Sequence, residues 1–227
     1  MEIMEERYKQ IVNDCIEFAR QFLDLPPQIE LFFEDCPSQM FPLITNACES
    51  NGKCIYFNKL WFLQRIDEHR DDIEFFVFHE LRHCHQIFSI YKMTRGYITH
   101  DDKNVICRWE QDFSNYVRNE DSVSERKNVM QEIEIDANAY GVVLTNLWHI
   151  IDAVELRFSV PEYAMEIAFE RSKQYYESEQ KVVSYIQKIL TQKQPQATIH
   201  SQKYERNKPC PCGSGVKWKK CTCKKYH

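Results

Sequence analysis

The chain has 227 residues, 43% of them hydrophobic, and a formal net charge of −5, which fits one core domain with a small appendage. The presence of only 5 glycines disfavours a fold rich in strands and turns. No window approaches the roughly 18 apolar residues of a membrane span, and the charged start MEIMEERYKQ lacks the apolar segment of a signal peptide. We therefore expect a cytoplasmic protein without a membrane span.

The predicted secondary structure is mainly helical with two strands, which indicates an α+β fold. In chain order, the apolar spacing predicts a helix over 3–23, strands over 29–33 and 53–58, and helices over 71–91, 102–118, 122–147 and 160–190. Asp71, with Glu74 three residues later, is the predicted N-cap of the helix 71–91. The last helix is expected to be interrupted near residues 173–180.

The segment 191–209 is polar and has no apolar periodicity, which is typical of a linker. We therefore predict three parts along the chain. They are a core domain over 1–190, a flexible linker over 191–207 and a small C-terminal unit over 208–227.

The core domain contains the sequence HELRH at residues 79–83. Two histidines four residues apart lie on one face of a helix, with Cβ atoms about 5–6 Å apart, so His79 and His83 together suit one zinc ion. Glu80 is turned about 100° around the helix axis, which suits a general base that acts on water at the metal. The alternative is a chance match, with a core histidine paired to a glutamate.

A second helical segment, QEIEIDANAYG, offers a third ligand. On a helix, Glu132 and Asp136 share a sector of about 100° with apolar or small neighbours, whereas Glu134 and Asn138 point to the opposite side. Carboxylates are almost never buried unless they are paired or bind a metal. This pattern predicts Glu132 as the third zinc ligand and Asp136 as the acceptor for the ring N–H of His79.

HELRH and the downstream EIEIDA segment together resemble the gluzincin metallopeptidases, best over residues 53–147. The resemblance implies a minimal zincin-like core that hydrolyses peptide bonds. It implies the following roles: His79, His83 and Glu132 as ligands of a catalytic zinc, Glu80 as general base, and Asp136 behind the ligands. It also implies that the predicted strand 53–58 is an edge strand that pairs with an extended substrate.

Two residues depart from the family pattern, Arg82 inside the motif and His85 just after it. We expect Arg82 either to pair with an acidic residue beside the helix or to crowd the site. We expect His85 to flank the helix, because a fourth protein ligand would close the position that catalytic zinc keeps open. The family also uses a Tyr or His donor, and the sequence does not choose among Tyr140, His149 and His100.

Ten cysteines are present, and six of them are scattered, which we interpret as reduced thiols. The other four form two Cys-x-Cys pairs around a Gly-Ser-Gly turn: Cys210, Cys212, Cys221 and Cys223. Four thiolates this close predict a tetrahedral structural zinc in a segment too short for its own core. A disulfide pair is the alternative, and His227 is an alternative to Cys223 as fourth ligand.

The stretch PCPCGSGVKWKKC resembles the SEC-C motif, which occurs at the C-terminus of SecA-type translocation ATPases. The resemblance implies a zinc-bound mini-domain with a protein partner, either a SecB-like chaperone or the ribosome. From Lys203 onward, eight Lys or Arg and one acidic residue give a charge of +7, so the rest of the chain carries −12. Such a basic tail suits an acidic chaperone, ribosomal RNA or lipid headgroups, and a solvated tail is the alternative.

The expected function is zinc-dependent hydrolysis of a peptide or protein substrate, with one catalytic and one structural zinc per chain. One alternative is a catalytically silent interaction module that keeps zinc on a zincin scaffold. Another is a regulatory protease with a single dedicated substrate, resembling enzymes that cleave phage repressors.

Overall fold

A computed structural model describes residues 2–42, 46–67, 69–118, 122–149, 161–193 and 217. The helices are α1 (Glu2–Ala19), α2 (Lys59–Arg65), α3 (Arg70–Thr94), α4 (Lys103–Ser114), α5 (Ser122–Val129), α6 (Glu132–Trp148), α7 (Glu162–Ser178) and α8 (Gln180–Lys193). The strands are β1 (Glu30–Glu34), β2 (Cys48–Ser50) and β3 (Cys54–Asn58). The predicted α+β class, mainly helical with a small sheet, is confirmed.

The three strands form one mixed sheet in the order β1-β3-β2. β1 runs parallel to β3 with Phe32 opposite Tyr56, and β2 runs antiparallel to β3 with Glu49 opposite Tyr56. The expectation that residues 53–58 form an edge strand is therefore wrong, because β3 is central. The antiparallel edge is β2, whose three residues are too few to show an alternating pattern, and β2 packs against α3.

α3 is the centre of the core. It packs on α1 and β2 on one side and on α6 on the other, and Phe78 and Leu81 are fully buried within it. Gly141 of α6 permits the close approach of the two helices, since a Cβ there would lie 2.8 Å from the buried ring of Phe75. This contact brings the HELRH segment against the first half of α6.

The predicted helix over 122–147 is two helices, because Met130 and Gln131 separate α5 from α6. Gln131 has an extended backbone, and its side-chain amide donates locally to the carbonyl oxygen of Asn128; such local bonds compete with helical ones. The predicted interruption near 173–180 is confirmed at Glu179, between α7 and α8.

Two local features differ from the sequence prediction, and both concern helix capping. α3 begins at Arg70 after His69, which makes no side-chain cap, so Asp71 is not the N-cap and lies in the first turn. There its carboxylate is near the positive end of the helix dipole. The second feature is α2, which was not predicted and follows β3 directly. Asn58 caps α2 by accepting from the N–H groups of Leu60 and Trp61.

The chain divides into two compact units, Met1–Gln187 and Lys188–His227. In the second unit, the structure describes only residues 188–193 and 217. The predicted linker beyond residue 193 and the four tail cysteines lie outside the described residues. Within the described ranges, none of the helices combines the length and the apolar character needed to cross a membrane.

Candidate metal centre

α3 presents His79 and His83 on one face, where the helical spacing places them side by side. Their Nε2 atoms lie 3.0 Å apart. The two side chains are nearly buried, with 8% of His79 and 7% of His83 exposed. The centre therefore opens to solvent only narrowly.

Glu134 of α6 completes the cluster. Its Oε2 lies 3.4 Å from Nε2 of His79, and its Oε1 lies 3.4 Å from Nε2 of His83. Among the described residues, these three side chains form the group whose donor atoms converge as metal ligands would, all within 4.8 Å of one another. Two imidazoles and one carboxylate are a donor set that proteins use for catalytic zinc.

The other ring nitrogens are both occupied by side-chain amides. Nδ1 of His79 donates to Oδ1 of Asn138 at 3.0 Å, and Nδ1 of His83 donates to Oε1 of Gln86 at 2.8 Å. An amide oxygen only accepts hydrogen bonds, so each Nδ1 carries its proton. In the neutral rings both Nε2 atoms are then left with free lone pairs.

The resulting arrangement fits a metal ion. Two imidazole lone pairs and a carboxylate oxygen converge, and they repel one another unless a proton or a cation lies between them. Ligand atoms about 2.0–2.1 Å from one tetrahedral zinc lie roughly 3.3–3.4 Å from each other. The two Nε2 atoms are 3.0 Å apart, and each lies 3.4 Å from a different oxygen of Glu134, so the carboxylate faces both rings at close to that spacing.

Without a metal, the cluster favours a proton. Burial by itself lowers the pKa of His83, but the charge of Glu134, with smaller contributions from Glu80 and Gln86, raises it to about 9. Burial likewise opposes ionisation of Glu134, yet the two histidines hold the pKa of that carboxyl well below its usual range. Without a metal, the centre therefore contains an ionised Glu134 carboxylate beside a protonated His83.

Glu80 lies on α3 beside this cluster and is 6% exposed. Cys48 of β2 is its neighbour, since burial and then the charge of Glu80 raise the pKa of the Cys48 thiol well above its ordinary value. Glu80 therefore faces the edge strand of the sheet with a protonated thiol beside it. Glu80 is also close enough to His83 for its charge to act on that ring; its role as general base stays a prediction.

The structure does not bring Glu132 and Asp136 to the histidines. Glu132 pairs with Arg171 of α7 at 2.6 Å and is partly exposed. Asp136 binds Arg82 and Gln86. Two residues correspond to about 200° around a helix, so Glu134 lies at the histidines and Glu132, the predicted donor, does not.

The residue that bonds to the ring N–H of His79 also differs from the prediction. Asn138, four residues after Glu134, accepts from His79 where Asp136 was expected. The spacing of four therefore recurs on the opposite face of α6, where Glu134 meets the histidines and Asn138 bonds to His79. The carboxylates of the predicted face are neutralised by arginines of other elements rather than by a metal.

Arg82 does not crowd the cluster. Its guanidinium pairs with Asp136 through Nε at 2.8 Å and Nη2 at 3.2 Å, and it stacks on the ring of Tyr140 at 3.9 Å. His85 is buried and its Nε2 lies 2.7 Å from Asp101. The two departures from the family pattern are therefore members of a buried polar cluster, which Asp136 and Gln86 link to His83 by hydrogen bonds.

None of the three donors considered from the sequence lies at the centre. Tyr140 is under Arg82, His149 contacts Glu74, and His100 is exposed. The hydroxyl of Tyr116 instead donates to Oε1 of Glu134 at 2.8 Å. The sequence placed Tyr116 within the predicted helix 102–118, but α4 ends at Ser114, and Tyr116 lies in the irregular segment that follows.

The comparisons with known proteins concern the tail. Residues 206–225 match the SEC-C motif, a motif that is often zinc-binding. The match covers the four tail cysteines and supports that part of the predicted resemblance. No solved structure matches this chain.

Proposed function

We propose that the core domain is a zinc-dependent hydrolase of peptide bonds. His79, His83 and Glu134 would hold the metal, and Glu80 would act as general base. The observation that carries the proposal is the convergence of the three donor atoms within 4.8 Å, with both Nδ1 atoms engaged elsewhere. When bound, zinc supplies Lewis acidity to the water and the peptide carbonyl in such a site.

In this proposal Glu80 moves one proton in two steps. It takes a proton from the attacking water while the oxygen bonds to the carbonyl carbon, and it passes that proton to the amine nitrogen as the C–N bond breaks. Its position beside the two histidines on α3 and its neighbour Cys48 on β2 support this role. Arg82 takes no direct part in these steps, because its guanidinium is engaged by Asp136 and by the ring of Tyr140.

The substrate would bind as an added strand along β2. β2 is the antiparallel edge of the sheet and packs against α3, so a peptide paired with it would pass the metal centre. Tyr116 is the hydroxyl donor best placed to meet the carbonyl oxygen, since it already reaches Glu134. Burial, followed by the charge of Glu134, raises the pKa of Tyr116, which keeps that hydroxyl protonated.

The experiment is the substitution Glu80→Gln in the full chain. Removal of a general base is expected to lower peptide hydrolysis by about 10²–10⁴-fold, while zinc content, measured by mass spectrometry, stays unchanged. Glu132→Gln is the matched control, because its carboxylate faces Arg171 and not the centre; it is expected to keep both zinc and hydrolysis. Equal hydrolysis by wild type and Glu80→Gln contradicts the proposed role.

The narrow exposure of the centre favours one other function, a catalytically silent zinc-binding module. Its three donors are each at most 8% exposed, and Tyr116 covers one oxygen of Glu134. Such a module would bind zinc and a partner but would cleave no peptide. Zinc-loaded wild type that cleaves nothing in a diverse peptide library would support this function over the hydrolase.

For the tail, we propose that Cys210, Cys212, Cys221 and Cys223 hold a structural zinc. The SEC-C match over residues 206–225 supports this ligand set. The tail would then present its basic residues to an acidic chaperone or to the ribosome. A pull-down in which the intact chain, but not a Cys210→Ser variant, captures one of these partners tests the assignment.

A further inference from the structure

Gln86 lies one turn after His83 on α3 and is fully buried. Its side-chain amide has three polar neighbours. Oε1 lies 2.8 Å from Nδ1 of His83, and Nε2 lies 2.6 Å from Oδ2 of Asp136 and 3.1 Å from the carbonyl oxygen of Ile133. Every polar atom of this buried amide is therefore used.

The direction of the amide follows from its neighbours. A carboxylate and a backbone carbonyl accept hydrogen bonds and do not donate them, so the NH₂ group must face Asp136 and Ile133. This leaves Oε1 for His83, and only a proton on Nδ1 satisfies it. The opposite orientation would leave two buried acceptors facing an oxygen, which is costly.

Asp136 is itself held in place. Arg82 binds both of its oxygens, at 2.8 and 3.2 Å, and the hydroxyl of Tyr175 donates to it as well. Both oxygens of Asp136 thus accept hydrogen bonds, Oδ1 from Arg82 and Tyr175 and Oδ2 from Arg82 and Gln86. A chain of directed hydrogen bonds thus runs from Arg82 through Asp136 and Gln86 to His83.

We propose that Gln86 and Asp136 are positioning residues for metal binding: they fix His83 with its proton on Nδ1, which presents Nε2 to the ion. Arg82, the arginine inside the HELRH motif, anchors this chain of hydrogen bonds by binding Asp136. The inference rests on the metal site of the proposed function and not on hydrolysis. The amide that contacts Nδ1 of His79 is Asn138 of α6.

The test is zinc binding by the full chain, followed by NMR at the ring nitrogens of His79 and His83, so that the tail does not contribute. In zinc-loaded wild type, long-range ¹H–¹⁵N correlations are expected to show His83 with its proton on Nδ1. Gln86→Leu is expected to weaken zinc binding at these rings by about 10–100-fold. Ser89→Ala, a buried residue on the same helix that bonds to Asp101 instead, is the control and is expected to leave binding unchanged.

A second pair of variants separates positioning from a merely structural role. Asp136→Asn and Asp101→Asn each remove one carboxylate charge beside Arg82, but only Asp136 contacts Gln86. Asp136→Asn is expected to weaken zinc binding and change the His83 correlations, and Asp101→Asn is expected to do neither.

Three results would overturn the inference. Unchanged zinc affinity and His83 correlations in Gln86→Leu would show that the amide does not position the ring. Equal effects of Asp136→Asn and Asp101→Asn would assign the effect to the charge cluster as a whole. If zinc does not change the NMR signals of the His79 and His83 rings in wild type, the proposed metal site is wrong and so is the inference. This result does not require a measurement of hydrolysis.

Discussion

At the scale of single residues, the centre depends on which of two glutamates faces α3. Glu132 and Glu134 are two positions apart on α6, each with a polar residue four positions later. Arg171 neutralises Glu132 from α7, whereas Glu134 meets two histidines. Which of the two glutamates meets the histidines is therefore decided by the neighbours of α6 and not by its own sequence.

This difference predicts opposite outcomes for two matched substitutions. Glu134→Gln removes the anionic donor and is expected to weaken zinc binding at the centre by at least about 10-fold, a change comparable to losses of residues behind metal ligands. Glu132→Gln removes a partly exposed ion pair and is expected to leave zinc binding within about 2-fold, since such pairs contribute little. Isothermal titration with zinc measures both. Stronger loss in Glu132→Gln than in Glu134→Gln would restore the original assignment.

At the scale of elements, α3 and α6 are joined on two faces. One face carries the candidate metal centre, and the other carries the buried pair of Arg82 and Asp136, with 4% and 2% exposure. A buried pair loses more when one partner is removed than it adds as a pair, because the remaining charge is left uncompensated. The packing of the two helices therefore depends on both partners being present.

Arg82→Leu is expected to destabilise the metal-free chain by about 3–5 kcal/mol near neutral pH. The pKa of Asp136 is lowered in the folded protein, so its contribution is present above the unfolded value of about 3.9 and is lost as pH falls through the folded value. The difference from wild type should therefore be constant from pH 7 to about 4 and shrink only as the pH falls below about 4. Urea unfolding at several pH values measures it.

Arg171→Leu serves as the comparison for this prediction. Its partner Glu132 is about a third exposed, so the expected loss is below about 1 kcal/mol. A pH-independent loss in Arg82→Leu, or an equal loss in Arg171→Leu, would contradict the importance of the buried pair.

At the scale of the whole molecule, the chain combines an acidic body with a basic tail that matches the SEC-C motif over residues 206–225. The two units carry separate candidate metal sites, one of nitrogen and oxygen donors and one of thiolates. Their ligand sets share no residue, so we expect metal binding at the two sites to be independent.

Replacement of Cys210 and Cys212 by serine in the full chain tests this independence. The variant is expected to lose one zinc per chain, from two to one, because a tetrahedral site with two ligands removed no longer holds the ion. The unfolding transition of the core and the zinc-dependent ring signals of His79 and His83 are expected to stay unchanged. A variant that loses both ions would show that the sites are coupled.

The sequence by itself determined what depends on local spacing. The positions of most helices, the pairing of His79 with His83 four residues later, and the SEC-C stretch all follow from periodicity or from motifs within one segment. The helix α2 was not predicted, because it follows β3 directly and no turn signal separates the two elements.

Only the tertiary structure decided which face of α6 meets the histidines. α6 packs between α3 and α7 and is buried on nearly all sides. Glu134 and Asp136 are therefore both buried carboxylates. A buried carboxylate needs a cation, but periodicity does not say whether an arginine or a metal supplies it. The answer lies with Arg82 and Arg171, which reach α6 from elements distant in sequence.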